Sequence, residues 1–165
     1  MAITLIFAVC SNATSSGSST TGNNNEPSPP TPGLLYTLID GPAYAVSIGT
    51  ADAVNIVVAV TNNGPPVTAI ANNGFSNSSI LSIVIPNSVT SIGNNAFSGC
   101  TGLESITIPN SVTYIYQLAF ISWTSSQTIH IPFSTLAEAD STWDPNWRVF
   151  CDAIIRNVSG VQVYP

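Results

Sequence analysis

Residues Leu81–Phe97 read LSIVIPNSVTSIGNNAF, and residues Glu104–Phe120 read ESITIPNSVTYIYQLAF. Ile83, Ile85, Pro86, Val89, Ile92 and Phe97 recur as Ile106, Ile108, Pro109, Val112, Ile115 and Phe120, each 23 positions further on. The same step carries Ile106, Ile108 and Pro109 onto Ile129, Ile131 and Pro132, where the repeat starts a third time and breaks off. Upstream, Val67, Ile70 and Phe75 lie 22 positions before Val89, Ile92 and Phe97. A fixed period of about 20–50 residues is the signature of a solenoid, in which each unit touches only its neighbours.

Each unit holds a β-branched segment, Ile83-Val84-Ile85 or Ile106-Thr107-Ile108, that alternates inward and outward with the period of a half-buried strand. One short strand per unit is therefore expected. Proline at 86, 109 and 132 cannot donate to a ladder and ends the strand, and the Asn-Ser after Pro86 and Pro109 supplies turn chemistry. Val89, Ile92, Ala96 and Phe97, with their counterparts in the next unit, then point back inside. Burying a large apolar side chain is worth about 1.5–3 kcal/mol. Roughly five per coil offset the ordering entropy only when both flanks of the coil are covered. Such a stack needs a cap at each end.

The pattern Leu-x-x-Ile-x-Ile-Pro-x-Ser-Val-x-x-Ile-x-x-x-Ala-Phe-x-x-Cys-x-x-Leu, carried here by Ile80–Leu103, resembles the BspA-like class of leucine-rich repeats over about Tyr36–Val158. The resemblance implies an α/β leucine-rich-repeat solenoid dominated by β-structure. It would have about three coils of 22–23 residues, an N-terminal β-hairpin cap and a C-terminal aromatic cap. It further implies a bacterial or parasite surface protein with a binding or adhesive role and no catalysis of its own. The third coil departs from the pattern, with Ile121-Ser122-Trp123-Thr124 where Ser-Gly-Cys-Thr would stand, and the first has Gly74-Phe75 for Ala-Phe.

The flanks divide the chain further. Met1–Val9 is an apolar run too short to span a bilayer, which takes about 20 residues. It reads as the core of an export signal, and Cys10 with the polar residues after it resembles the end of a bacterial lipoprotein signal, so residues 1–10 would end at a lipid-bearing cysteine. No Lys or Arg precedes the run, and Val9 stands where that pattern has a small residue. Residues 11–33 are a Ser/Thr/Asn/Pro linker with one charge, Glu26. As a flexible coil it would span roughly 25–30 Å. Residues 34–60 read as cap strands, with Asp40-Gly41 as the hairpin turn, and 61–132 as the repeats, the first widened by Asn62-Asn63-Gly64-Pro65.

In 133–165, Phe133, Trp143, Trp147 and Phe150 are expected to seal the open end. Thr135 with Glu138 fits a helix capping box, and Asp144-Pro145 fits the start of a further helix. Ala153–Val158 and Val161–Tyr164 read as closing strands.

The chain has 2 Lys+Arg, 8 Asp+Glu and a formal net charge of −6. Both basic residues are arginine, Arg148 and Arg156. That balance argues against nucleic acid and against an anionic membrane face, leaving a lipid at Cys10 as the expected membrane link. The single His, His130, falls on the outward strand face beside Thr128, and nothing in the sequence brings a nucleophile to it. No Cys pair, His pair or calcium-loop spacing is present, so no metal or cofactor is expected. A Cys100–Cys151 disulfide is left open by the sequence. Asn77 and Asn157 stand in glycosylation patterns that matter only in a eukaryotic host.

The expected function is a cell-surface or secreted adhesion module. It would hold a host or neighbour-cell protein or glycan through the strand-face residues Ser82, Val84, Ser105, Thr107, Thr128 and His130. A structural spacer is the alternative, and an enzyme finds almost no support in the residue inventory. A monomer is expected.

Overall fold

A computed structural model of the chain describes residues 29–164. The export-signal reading of Met1–Val9, the lipid-bearing Cys10 and the linker up to residue 28 lie outside the described residues. In chain order the rest forms β1 (Leu35–Ile39), β2 (Ala43–Ser47), β3 (Asn55–Val57), β4 (Val67–Ile70), β5 (Ser82–Val84), β6 (Ser91–Ile92), β7 (Ser105–Thr107), β8 (Tyr114–Ile115) and β9 (Thr128–His130). After these come α1 (Leu136–Thr142), β10 (Ile154–Arg156) and β11 (Gln162–Tyr164).

Each repeat unit donates two strands, not the single one read from the sequence. The first lies on the Ile-x-Ile segment as expected. The second, β4, β6 or β8, lies on the Val-x-x-Ile segment and joins β1 and β2 in a five-stranded sheet of order β1-β2-β4-β6-β8. Its members β6 and β8 are two residues long, too short for alternation to show. Stacking produces them: Ile70 pairs with Ile92 and Ile92 with Ile115, all inward and fully buried.

The core, between the five-stranded sheet on one side and the β3-β5 pair with the β11-β10-β9-β7 sheet on the other, is built from rows of like residues. Phe75, Phe97 and Phe120 stack with ring centroids 5.6 and 5.7 Å apart and planes 8° apart in both pairs. Behind each ring the main chain turns through two left-handed positions. The first is Asn73, Asn95 or Leu118, with φ of 55°, 53° and 59°; the second is Asn77, Gly99 or Ser122, with φ of 55°, 65° and 69°. Asn and Gly tolerate that region and Leu does not, so the third unit is the most strained.

The repeat begins earlier than residue 61. β3 pairs in parallel with β5, Asn55 opposite Ser82, and therefore belongs to the first coil rather than to the cap. The step from Asn55 to Ser82 is 27 residues against 23 from Ser82 to Ser105, a difference of four. The excess lies in the bend before β4, where Asn55 to Val67 takes 12 residues against 7 from Ser82 to Val89; it holds Asn62–Pro65, closed off by a Thr61–Pro66 bridge and an Asn62 N–H donated to the Pro65 carbonyl at 2.8 Å.

At the N-terminal end β1 and β2 form the expected hairpin, Leu35 opposite Ser47 through Ile39 opposite Ala43, and β2 covers β4 in parallel. Thr31, read as linker, is docked. Its N–H donates to the Val57 carbonyl at 2.9 Å, and the Val57 N–H donates to its Oγ1 at 2.7 Å, so one residue covers the free side of β3.

At the other end β10 pairs in parallel with β9 and β11 closes antiparallel on β10. α1 carries the expected capping box between Thr135 and Glu138, and is the one helix among the described residues. Asp144-Pro145 starts no helix: the Asp144 carboxylate accepts from the Asn146 N–H at 2.8 Å, closing a turn. Trp123, Trp143 and Trp147 are buried, but Phe150 is 76% exposed and seals nothing. Cys100 and Cys151 are both buried free thiols. Cys100 donates to the Phe75 carbonyl at 2.9 Å, and burial pushes both thiols up from their ordinary range.

Candidate functional site

The strand face forms because Ile83, Ile106 and Ile129 are drawn inside, which turns the residues on either side of each outward. Ser82, Val84, Ser105 and Thr107 are exposed, and Thr128 and His130 half-exposed. Ser105 stands opposite Thr128 and Thr107 opposite His130 in one parallel ladder. Ser82 and Val84 belong to another ladder, opposite Asn55 and Val57, and Ser82 Oγ donates to Asn55 Oδ1 at 2.7 Å. The six residues therefore share a side of the molecule but not a sheet: the β3-β5 pair and the β11-β10-β9-β7 sheet are separate.

Three neighbours of the face were not legible in the repeat. Arg156 stands opposite His130 on β10, its Nη1 donating to the Gly160 carbonyl at 2.9 Å. It sits 26 residues after its partner rather than 23, so the repeat step does not reach it. Gln127 occupies the position of Leu81 and Glu104, both exposed, yet is only 3% exposed itself. Its Nε2 donates to the carbonyls of Cys100 and Leu103 at 3.0 and 2.9 Å, and its Oε1 accepts from the Thr124 N–H at 3.1 Å, so it ties the loop before β7 to β9. Asn157 closes the last turn, accepting from the N–H groups of Ser159 and Val161 and donating to the Ser134 carbonyl.

Thr107 and His130 open onto a cleft of about 320 Å³, whose far wall is Asn157, Val158 and Gly160 of the β10–β11 turn and whose floor includes Ile108, Asn110, Ile131 and Pro132. The cleft offers a hydroxyl, an imidazole and the Asn110 amide against an apolar base. Ser82, Val84, Ser105 and Thr128 lie outside it. The described residues hold no cluster of three His, Cys, Asp or Glu side chains able to take a metal ion.

The second sheet presents aromatics that a reading of one strand per unit misses. Tyr114 and Tyr116 are both exposed, in an edge-to-face pair with centroids 4.6 Å apart. In register with Tyr114 stand Ser91 and Ala69.

Short parallel strands on two sides of stacked apolar rows define a leucine-rich-repeat solenoid. Residues 67–142 match the family model described as BspA type Leucine rich repeat region (6 copies). The repeat region of this chain is thus similar to that family. Two solved structures are similar. A leucine-rich repeat protein of T. pallidum (TpLRR) is 26% identical with a TM-score of 0.55, over 62% of this chain and 52% of that one. A leucine-rich repeat protein from Bacteroides capillosus ATCC 29799 shares the fold at 23% identity and a TM-score of 0.59, over 75% of this chain and 94% of that one. This chain thus spans about half the length of the T. pallidum protein. No curated protein matches it.

Proposed function

We propose that the domain is a non-catalytic interaction module displayed outside the cell, which holds a host or neighbour-cell protein or glycan through the outward rows of β5, β7 and β9. The observation that carries this reading is the cleft where Thr107 and His130 meet the β10–β11 turn. It gives an otherwise flat hydroxyl-rich face one concave anchor. Likeness to a leucine-rich-repeat family, whose members generally serve as interaction or surface modules, supports the same reading.

No exposed aromatic stands on the β5–β7–β9 rows, and tight interfaces concentrate their energy in buried aromatic and Arg anchors. A single copy should therefore bind at about micromolar affinity or weaker, with useful adhesion coming from many copies held together. Beads crowded with the full chain should capture extracellular-matrix glycoproteins that the free protein binds barely above background. The triple change Ser105→Glu, Thr107→Glu, His130→Glu should abolish capture without altering the melt. Undiminished capture by that variant would move the site to Tyr114 and Tyr116, and no capture in either format would favour a spacer. For surface attachment, labelled palmitate fed to the native host should enter the protein, and Cys10→Ala should release it to the medium; an unlabelled wild type found wholly in the medium would leave plain secretion.

A further inference from the structure

We infer that β1 is a self-complementary edge through which two copies of this chain pair about a two-fold axis, joining their five-stranded sheets into one. Natural sheets blunt their edges with charge, proline, a bulge or a covering segment, because an open edge templates another strand. Among the described residues the three sheets end in six strands; β5 and β7 lie against each other, and β3, β8 and β11 are each blunted in one of these ways. The free side of β3 is covered by Thr31. β8 is covered by the C-terminal cap, where the Asp144 N–H donates to the Ile115 carbonyl at 3.0 Å. β11 carries a register shift against β10.

Among the described residues β1 has none of these devices. Leu-Tyr-Thr-Leu-Ile contains no charge and no proline and pairs with β2 without interruption. Leu35, Leu38 and Ile39 are 55%, 62% and 37% exposed.

The hydrogen-bond parity of the hairpin fixes which groups are free. Tyr44 N–H donates to the Pro66 carbonyl and Ala71 N–H to the Val46 carbonyl, so the main chains of Tyr44 and Val46 face β4. Ala43, Ala45 and Ser47 therefore bond to Ile39, Thr37 and Leu35, and on β1 the N–H and C=O of Tyr36 and Leu38 point away from the molecule. An antiparallel pair centred on Thr37 sets Tyr36 against Leu38 of the second copy, and Leu38 against its Tyr36. All four free N–H and all four free C=O groups are then used, in four hydrogen bonds. The same register sets Leu35 against Ile39 on the outer face, apolar against apolar at both ends, with Thr37 against Thr37 at the axis. Asp40, the nearest charge, then lies opposite Leu34 and not opposite its own copy. The occupant is a second copy because this one register uses every free main-chain group of Tyr36 and Leu38 and matches apolar with apolar in both halves at once.

Sedimentation velocity on the full chain should show a concentration-dependent monomer–dimer equilibrium, tightening as salt screens the repulsion between two chains of net charge −6. Leu38→Pro removes only an outward-facing N–H and should weaken the dimer by about tenfold or more while leaving the melt close to wild type. Thr37→Lys provides the same loss should the proline variant fail to fold. The register has its own test: Thr37→Cys in a Cys10→Ala background should form an intermolecular disulfide under mild oxidation. Facing Cα atoms at a non-hydrogen-bonded pair are about 4.5 Å apart, within the reach of a disulfide. Leu35→Cys in that background should not cross-link. A monomer at every concentration, a dimer unaffected by Leu38→Pro and Thr37→Lys, or equal cross-linking of the two cysteine variants would each overturn the proposal.

Discussion

The two ends of the solenoid are closed by different means. At the C-terminal end the Phe75–Phe97–Phe120 stack runs into Trp147, set edge-on to Phe120 at 6.0 Å, and Trp143 stands edge-on to Trp147 at 5.0 Å. Trp147 Nε1 and the Arg148 guanidinium both donate to the Asp140 carboxylate. At the N-terminal end, beyond the hairpin, a single threonine covers the free side of β3. The difference teaches that one end is finished with side chains and the other with main chain. Finishing with main chain leaves a new edge exposed, and β1 is that edge.

The largest expected effect lies between the ends and sets the scale. Ile106→Asp puts a charge with no partner into the buried row and should unfold the domain, as read by circular dichroism. Thr107→Asp, one residue along on the outward face, should melt within about 0.5 kcal/mol of wild type. Next, Trp147→Ala opens the sealed end and should cost about 3–5 kcal/mol in denaturant titrations. Thr31→Val removes the hydroxyl that Val57 donates to and should cost about 1 kcal/mol. Equal losses from these two would show that aromatic burial is not what distinguishes the ends.

The smallest effect depends on pH. Hydrogen bonding from Arg148 holds the Asp140 carboxyl below its ordinary range. Its contribution is therefore full above the unfolded-chain value, near pH 3.9, and is lost as pH falls through the folded one. Asp140→Asn should lower the melting temperature slightly at neutral pH, with the gap to wild type closing in acid. A gap that widens on acidification would contradict the sign.

The Ile-x-Ile strands, their outward residues, the hairpin and the capping box were legible because each repeats a short-range rule: alternation, a turn residue, or a cap three positions from its acid. The second sheet was not, since a two-residue strand such as Ser91–Ile92 has no alternation and exists only because Ile70 and Ile115 flank it. Tyr114 and Tyr116 were lost with that sheet. Nothing in the repeat singles out Gln127, since its counterparts are Leu81 and Glu104, and only the loop packed over it makes it a buried tie. The cleft is formed by residues about 50 apart in sequence, Thr107 and Asn157, so neither period nor motif could show it.

The longer bend that holds Asn62–Pro65 leaves the pairing of β3 with β5 in register. The solenoid therefore separates what it must keep constant, the rows inside, from what it can vary, the length of its bends. Loop closure becomes only about 0.6 kcal/mol costlier for each doubling of loop length. A foreign peptide grafted between Asn63 and Gly64 should consequently be carried at the surface of a domain that folds as before, making this bend a natural display site.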